Sequence, residues 1–299
     1  KIVWINTVDK FKTKQLLHEA GIRTPLGIVG KASELSTFKN FLVANDTLRF
    51  VTKPLAGSLA VDVVLDLSAD EVIDALQTFA DEFVIVEQYI AGEEFRVLVV
   101  NGCVEAVSLK HKPVVIGDGQ SSVALLIKRL STKLRKEHIF WPGFKSQEAM
   151  EFCLARQGFG FQDILPKGVR LLLTYTTDGI LHREVTKRYA QEFQSEALRA
   201  MCALGGGIAG LDCIRTTTGS LYFLEANRRP HIGFHCYPNL GKSLGNCVAD
   251  ALILSHFPLS ADNHRIENLT FDFKKVQYLL RVKNCDFVQL VPELTKKFD

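Results

Sequence analysis

The sequence predicts an α+β fold. Strand-like runs come in antiparallel pairs joined by short turns, and helices with an apolar stripe are interleaved with them. The pairing is clearest at residues 94–110, where Asn101-Gly102 joins two apolar runs. It recurs at residues 210–230, GLDCIRTTTGSLYFLEANRRP, around a turn ending in Gly219-Ser220.

The elements follow in order. Residues 1–5 read as a short strand. Residues 9–20 read as a helix, with Phe11, Leu16, Leu17 and Ala20 at helical spacing and Gly21 as its stop. Residues 33–43 read as a second helix, with Ser33 as its cap. Strands at 49–54 and 61–67 flank a loop containing Ser58, and a helix at 69–81 precedes a strand at 83–90. The Asn-Gly hairpin comes next, then a strand at 112–116 and helices at 122–134 and 146–157. Residues 169–175 and 180–186 read as a hairpin around Thr177-Asp178-Gly179. A helix at 192–204 closes on Gly205-Gly206-Gly207 and leads into the 210–230 hairpin. A helix at 245–255 and a weakly patterned extension complete the chain.

The totals narrow the function. A chain of 299 residues can bury one large or two smaller cores. Its 36 basic and 33 acidic residues leave a net charge of +3, which gives no overall pull toward nucleic acid or a membrane. Seven scattered cysteines without CxxC spacing read as reduced thiols of a cytoplasmic protein. No apolar run reaches transmembrane length, and the opening run is too short for a signal peptide.

Chemistry concentrates at strand ends. Glu225 and Asn227 lie two apart on one strand and so share a face, which Asp212 on the facing strand can join. These are hard oxygen ligands of the kind magnesium takes; the alternative is a hairpin whose polar residues only mark the strand end. Lys53 ends an apolar strand before a Gly-Ser loop, where a cation and loop N–H groups suit phosphate, or where a lysine is merely exposed. Glu87, Glu94 and a second cation, Lys110, follow. The basic stretch from Lys128 to Lys136 reads as a solvated helix face. His231 and His235 are four apart, but Pro230 and Gly233 argue against a helical zinc pair, and both read as loop residues. No Ser-His-Asp or Cys-His arrangement is visible.

Taken together, these segments resemble the ATP-grasp family. The likeness is to the ATP-grasp domains of cyanophycin synthetase and of bifunctional glutamate–cysteine ligase/glutathione synthetase. KTKQLLHEAGIRTPLG, VTKPLAGS, VEQYIAGEEFRVLVVNGCVEAV, VVIGDGQSS, LARQGFGFQDILPKG and GLDC…LEANRRPHIGFHCYPNLGK carry it, over roughly residues 10–257. The resemblance implies two α+β subdomains clasping ATP between antiparallel sheets. The expected divisions are 1–90 (lid), 91–258 (metal-binding subdomain) and 259–299 (extension).

The resemblance also assigns roles. Lys53, Ser58 and Lys110 would meet the phosphates, Glu87, Gln88 and Ile90 the adenine, and Glu94 the ribose. Asp212, Glu225 and Asn227 would hold Mg²⁺. Arg183, or Arg228 and Arg229, would supply the catalytic cation that relatives carry as an arginine before the hairpin. The implied activity is an ATP-dependent ligase that joins a carboxylate to an amine through an acyl phosphate, on amino-acid-like small molecules. The loop after Lys53 has fewer glycines than in relatives and carries Asp62, and the chain enters almost directly at the first family helix. The alternative expectation is therefore a catalytically weakened nucleotide-binding module or partner domain. A homodimer or a separate N-terminal partner domain is the expected protein partner, with no nucleic acid and no membrane.

Overall fold

Asp9 starts the first helix: its Oδ1 accepts hydrogen bonds from the N–H groups of Phe11 at 2.7 Å and Lys12 at 3.1 Å. The computed structural model describes residues 9–55, 63–137, 147–175, 181–228, 230 and 235. The strand expected at 1–5, Ser58 and most of its loop, and the turn at 177–179 lie outside these residues. So do Arg229, His231, the helix expected at 245–255 and the extension 259–299.

In chain order the elements are α1 (Lys10–Glu19), β1 (Gly27–Lys31), α2 (Leu35–Ala44), β2 (Phe50–Pro54), β3 (Val64–Leu67), α3 (Ala69–Leu76) and β4 (Phe83–Gln88). Then come β5 (Glu93–Val100), β6 (Cys103–His111), β7 (Val114–Ile116), α4 (Val123–Glu137), α5 (Gln147–Ala155) and β8 (Arg170–Leu172). β9 (Leu181–Glu184), α6 (Thr186–Leu204), β10 (Ile208–Arg215) and β11 (Leu221–Asn227) follow.

The described strands form three antiparallel sheets. The first is β1-β4-β2-β3, and α2 and α3 close its core around Phe38, Phe50, Val72, Leu76 and Val86. A capping box starts α3: Ser68 Oγ accepts from the Glu71 N–H, and the Glu71 carboxylate accepts from the Ser68 N–H. The second sheet is β11-β10-β5-β6-β9. Its central hairpin turns at Asn101 and Gly102, which both take positive φ, 44° and 88°, as a type I′ turn requires.

α6 lays Tyr189, Phe193, Ala197, Met201 and Leu204 at helical spacing onto Phe95 and Val97 of the second sheet. Gly205, left-handed at φ 102°, ends the helix. α1 joins this second core through Leu17, and the segment after it through Ile22. The third unit pairs β7 with β8 and buries Val115, Val123, Leu154, Leu165 and Leu171 with α4 and α5. Among the described residues no helix is long and apolar enough to cross a membrane.

Several local expectations change. Among the described residues, the strands expected at 169–175 and 180–186 do not pair with each other: β8 pairs with β7, and β9 adds to β6. α6 begins at Thr186 instead of 192, because the Glu184 carboxylate caps its first turn by accepting from the Thr186 N–H at 2.6 Å and from the Thr186 hydroxyl. Ser33 caps no helix; α2 starts at Leu35, and the Ser33 hydroxyl donates to Asp81 at 2.5 Å. The helix expected over 69–81 is α3 plus a 3₁₀ turn, Gln77–Phe79, stopped by Ala80 at φ 48°.

Candidate nucleotide and metal site

The β10–β11 hairpin sets Asp212 opposite Glu225 and Gly210 opposite Asn227. Pairing then steps from Asp212↔Glu225 to Cys213↔Phe223, so Leu224 is the extra residue of a bulge beside the acidic pair. Across the sheet, Arg96 lies opposite both Asp212 and Ser108, and Ser108 lies opposite Glu184. The next rung runs Ile214, Glu94, Lys110, His182. Alternation therefore gathers Asp212, Glu225, Asn227, Arg96, Glu94 and Lys110 on one face, while Leu211, Cys213, Phe95 and Val97 face α6.

Asp212, 2% exposed, is held by two cations. Arg96 Nε lies 2.9 Å and Lys110 Nζ 2.8 Å from its Oδ1. Lys110 also donates to Glu94 Oε1 at 2.6 Å. Burial alone would raise the Asp212 carboxyl, but Arg96 and Lys110 outweigh it and hold the group below the usual carboxylate range. Burial likewise works against the Lys110 ammonium, and Asp212 and Glu94 outweigh it, so this lysine stays charged. Asn227 Nδ2 donates to Asp212 Oδ2 at 3.1 Å and to Glu225 Oε1 at 3.0 Å, so the three oxygen-bearing side chains meet at one point.

The first sheet supplies a second charged group. Glu87, on β4, is 3% exposed and sits between two lysines. Lys53 Nζ from β2 donates to its Oε1, and Lys14 Nζ from α1 donates to its Oε2. Burial pulls the Lys53 ammonium down to about 8, with Glu225 opposing that pull and Lys10 adding to it. Burial, then Lys53, lowers Lys14 well below the ordinary lysine value. α1 packs on β11 while its Lys14 pairs with Glu87, so the lysine side of the first sheet lies beside the acidic hairpin of the second.

The structure thus brings together Lys53, Glu87, Glu94, Lys110, Asp212, Glu225 and Asn227. Gln88 and Ile90 close β4 and the segment after it, with the Gln88 N–H donating to Leu26 O at 2.7 Å and Ile90 buried. Arg183 is not brought in: it is exposed and pairs opposite Leu109, on the sheet face away from Asp212. Arg228 follows β11 directly and is half-buried.

Three groups were missed by sequence reasoning. Lys14 sits among buried Thr13 and Leu17 on α1, and a charge on that buried side was the available signal. Arg96, two residues after Glu94, shares its face of β5. His235, read from sequence only as a loop residue, is 1% exposed, with Nδ1 at 3.3 Å from both Glu184 Oε2 and Ser108 Oγ.

Among the described residues no group of three or more His, Cys, Asp or Glu is arranged to hold a metal alone. Two carboxylates and an amide within hydrogen-bond reach of one another fit a magnesium ion that takes its remaining oxygens from phosphate and water.

No protein-family model matches the chain. The glutathione biosynthesis bifunctional protein GshAB of Listeria innocua is 30% identical over 265 residues, covering 82% of this chain and 34% of that protein. The cyanophycin synthetase of a Nostoc species is 27% identical over 261 residues, covering 82% of this chain and 29% of its own. Among solved structures, a bifunctional glutathione synthetase from Pasteurella multocida superposes with a TM-score of 0.55 at 21% identity, covering 86% of this chain and 37% of that one. The chain therefore spans about a third of the length of the curated relatives it matches.

Proposed function

The chain has the ATP-grasp fold, and from that fold and the charge layout between its sheets we propose that it is an ATP- and Mg²⁺-dependent carboxylate–amine ligase. The observation that carries the reading is the meeting of Asp212, Glu225 and Asn227 at one point beside Lys110, with α1 packed on β11 and its Lys14 joined to Lys53 through Glu87. Cations on one wall and hard oxygen ligands on the other suit a polyphosphate bridged by a metal.

In this reading Lys53 and Lys110 neutralise phosphate oxygens, Glu94 meets the ribose, and adenine lies against Glu87, Gln88 and Ile90. Magnesium held by Glu225, Asn227 and Asp212 would supply charge neutralisation at the phosphates. A substrate carboxylate oxygen attacks the γ-phosphorus and ADP leaves. The amine then attacks the acyl carbon, phosphate leaves, and an amide remains. These residues provide no nucleophile and need none, because positioning and charge stabilisation do the catalytic work. Arg228, beside Asn227, is the proposed cation toward the transferred group. The substrates are amino-acid-like, and a cytoplasmic setting agrees with the unpaired thiols of Cys103, Cys153, Cys202 and Cys213.

The test is release of ADP and phosphate by the full chain with ATP, Mg²⁺ and pools of amino acids. At least one pool should raise turnover above the ATP-only rate. Tight ATP binding with no phosphate release from any pool would instead identify a nucleotide-binding module.

A further inference from the structure

Glu87 is gripped from two sides. Its two carboxylate oxygens meet different lysines; Lys14 and Glu87 are buried, and the Lys53 side chain is 13% exposed. Glu87 and Lys53 come from neighbouring strands of the first sheet, whereas Lys14 rides on α1, which packs in the core of the second. Lys14 is 7% exposed, and nothing in the ligase reading uses it. The other charges bearing on the two lysines are Lys10, Glu94 and Glu225.

We propose that Lys14 is a positioning residue for nucleotide capture: it keeps the Glu87 carboxylate paired when Lys53 turns from Glu87 to a nucleotide phosphate. This rests on the ATP reading above. An ammonium already committed to a carboxylate must leave or share that partner to bind phosphate. A buried carboxylate stripped of its last cation is strongly disfavoured. Because its two oxygens carry separate cations, Glu87 can release one and keep the other. Without Lys14, Lys53 becomes the sole partner of a buried anion, and the nucleotide must compete for it.

The experiment measures Mg²⁺-ATP affinity by calorimetry, and melting temperature in parallel, for the full chain and four variants. Lys14→Met should weaken binding roughly tenfold or more, since a buried charge pair then opposes release of Lys53. Lys14→Arg, which keeps the charge, should stay within about threefold of the parent. Glu87→Gln alone sets the cost of changing the adenine contact. Adding Lys14→Met to Glu87→Gln should change affinity by less than about threefold further, because no buried carboxylate is left to hold Lys53. Unchanged affinity in Lys14→Met overturns the inference. So does a Lys14→Met loss as large in the Glu87→Gln background as in the parent, or affinities that simply follow melting temperature. A parent chain that binds no ATP sinks the nucleotide reading itself, and this inference with it.

Discussion

Asp212 carries two cations on one oxygen, and this divides the roles of the acidic pair. Arg96 and Lys110 share Oδ1, while Oδ2 faces Asn227 and Glu225. Asp212→Asn would leave Arg96 and Lys110 buried without that charge, and breaking a buried pair costs about 3–5 kcal/mol. Glu225→Gln leaves those two pairs intact and should cost less than about 1 kcal/mol. Both should abolish Mg²⁺-dependent nucleotide binding, but only Asp212→Asn should shift urea unfolding strongly. Equal destabilisation would contradict this division.

Lys53 carries the pH dependence. Burial, more than Lys10, brings its ammonium to about 8, and a phosphate favours the charged form. Affinity should fall as pH rises through about 8, with proton uptake on binding, seen by calorimetry in buffers of different ionisation enthalpy. An unfolded lysine titrates near ~10.4. Between the two values the unfolded chain binds more protons, so the contribution of Lys53 to stability rises with pH across that window. Glu94, Lys110, Asp212, Glu225 and Asn227 were legible because each ends or alternates along an apolar strand. Lys14 and Arg96 were not, because their partners, Glu87 and Asp212, are 73 and 116 residues away.

At the scale of elements, local chemistry was readable and distant pairing was not. The first helix, the Asn101-Gly102 turn and the stop at Gly205 stand where their residues place them. The partners of β8 and β9 depend instead on the third unit and on the free edge of β6, which no short-range signal reports. The joint between the sheets is equally non-local. Gly92, between β4 and β5, lies so close to β10 that a Cβ would sit 2.3 Å from Arg215 O. Gly92→Ala should destabilise the chain by about 1–3 kcal/mol in denaturant unfolding. It should also weaken nucleotide binding, because Glu87 and Glu94 flank the displaced turn. Unchanged unfolding would show that the joint tolerates a side chain.

The whole molecule divides the labour between two sheets. One presents Lys53 and Glu87, the other the acidic cluster with Glu94 and Lys110, and α1 ties them by packing on the second sheet while Lys14 reaches the first. The ligase reading makes this pairing a device for phosphorylating a carboxylate. The most direct measurement supplies ATP, Mg²⁺ and pooled amino-acid carboxylates, with hydroxylamine as the amine. Hydroxamate should form in step with ADP, and Glu225→Gln should form neither. A chain that binds Mg²⁺-ATP yet yields no hydroxamate and no ADP from any pool would contradict the account.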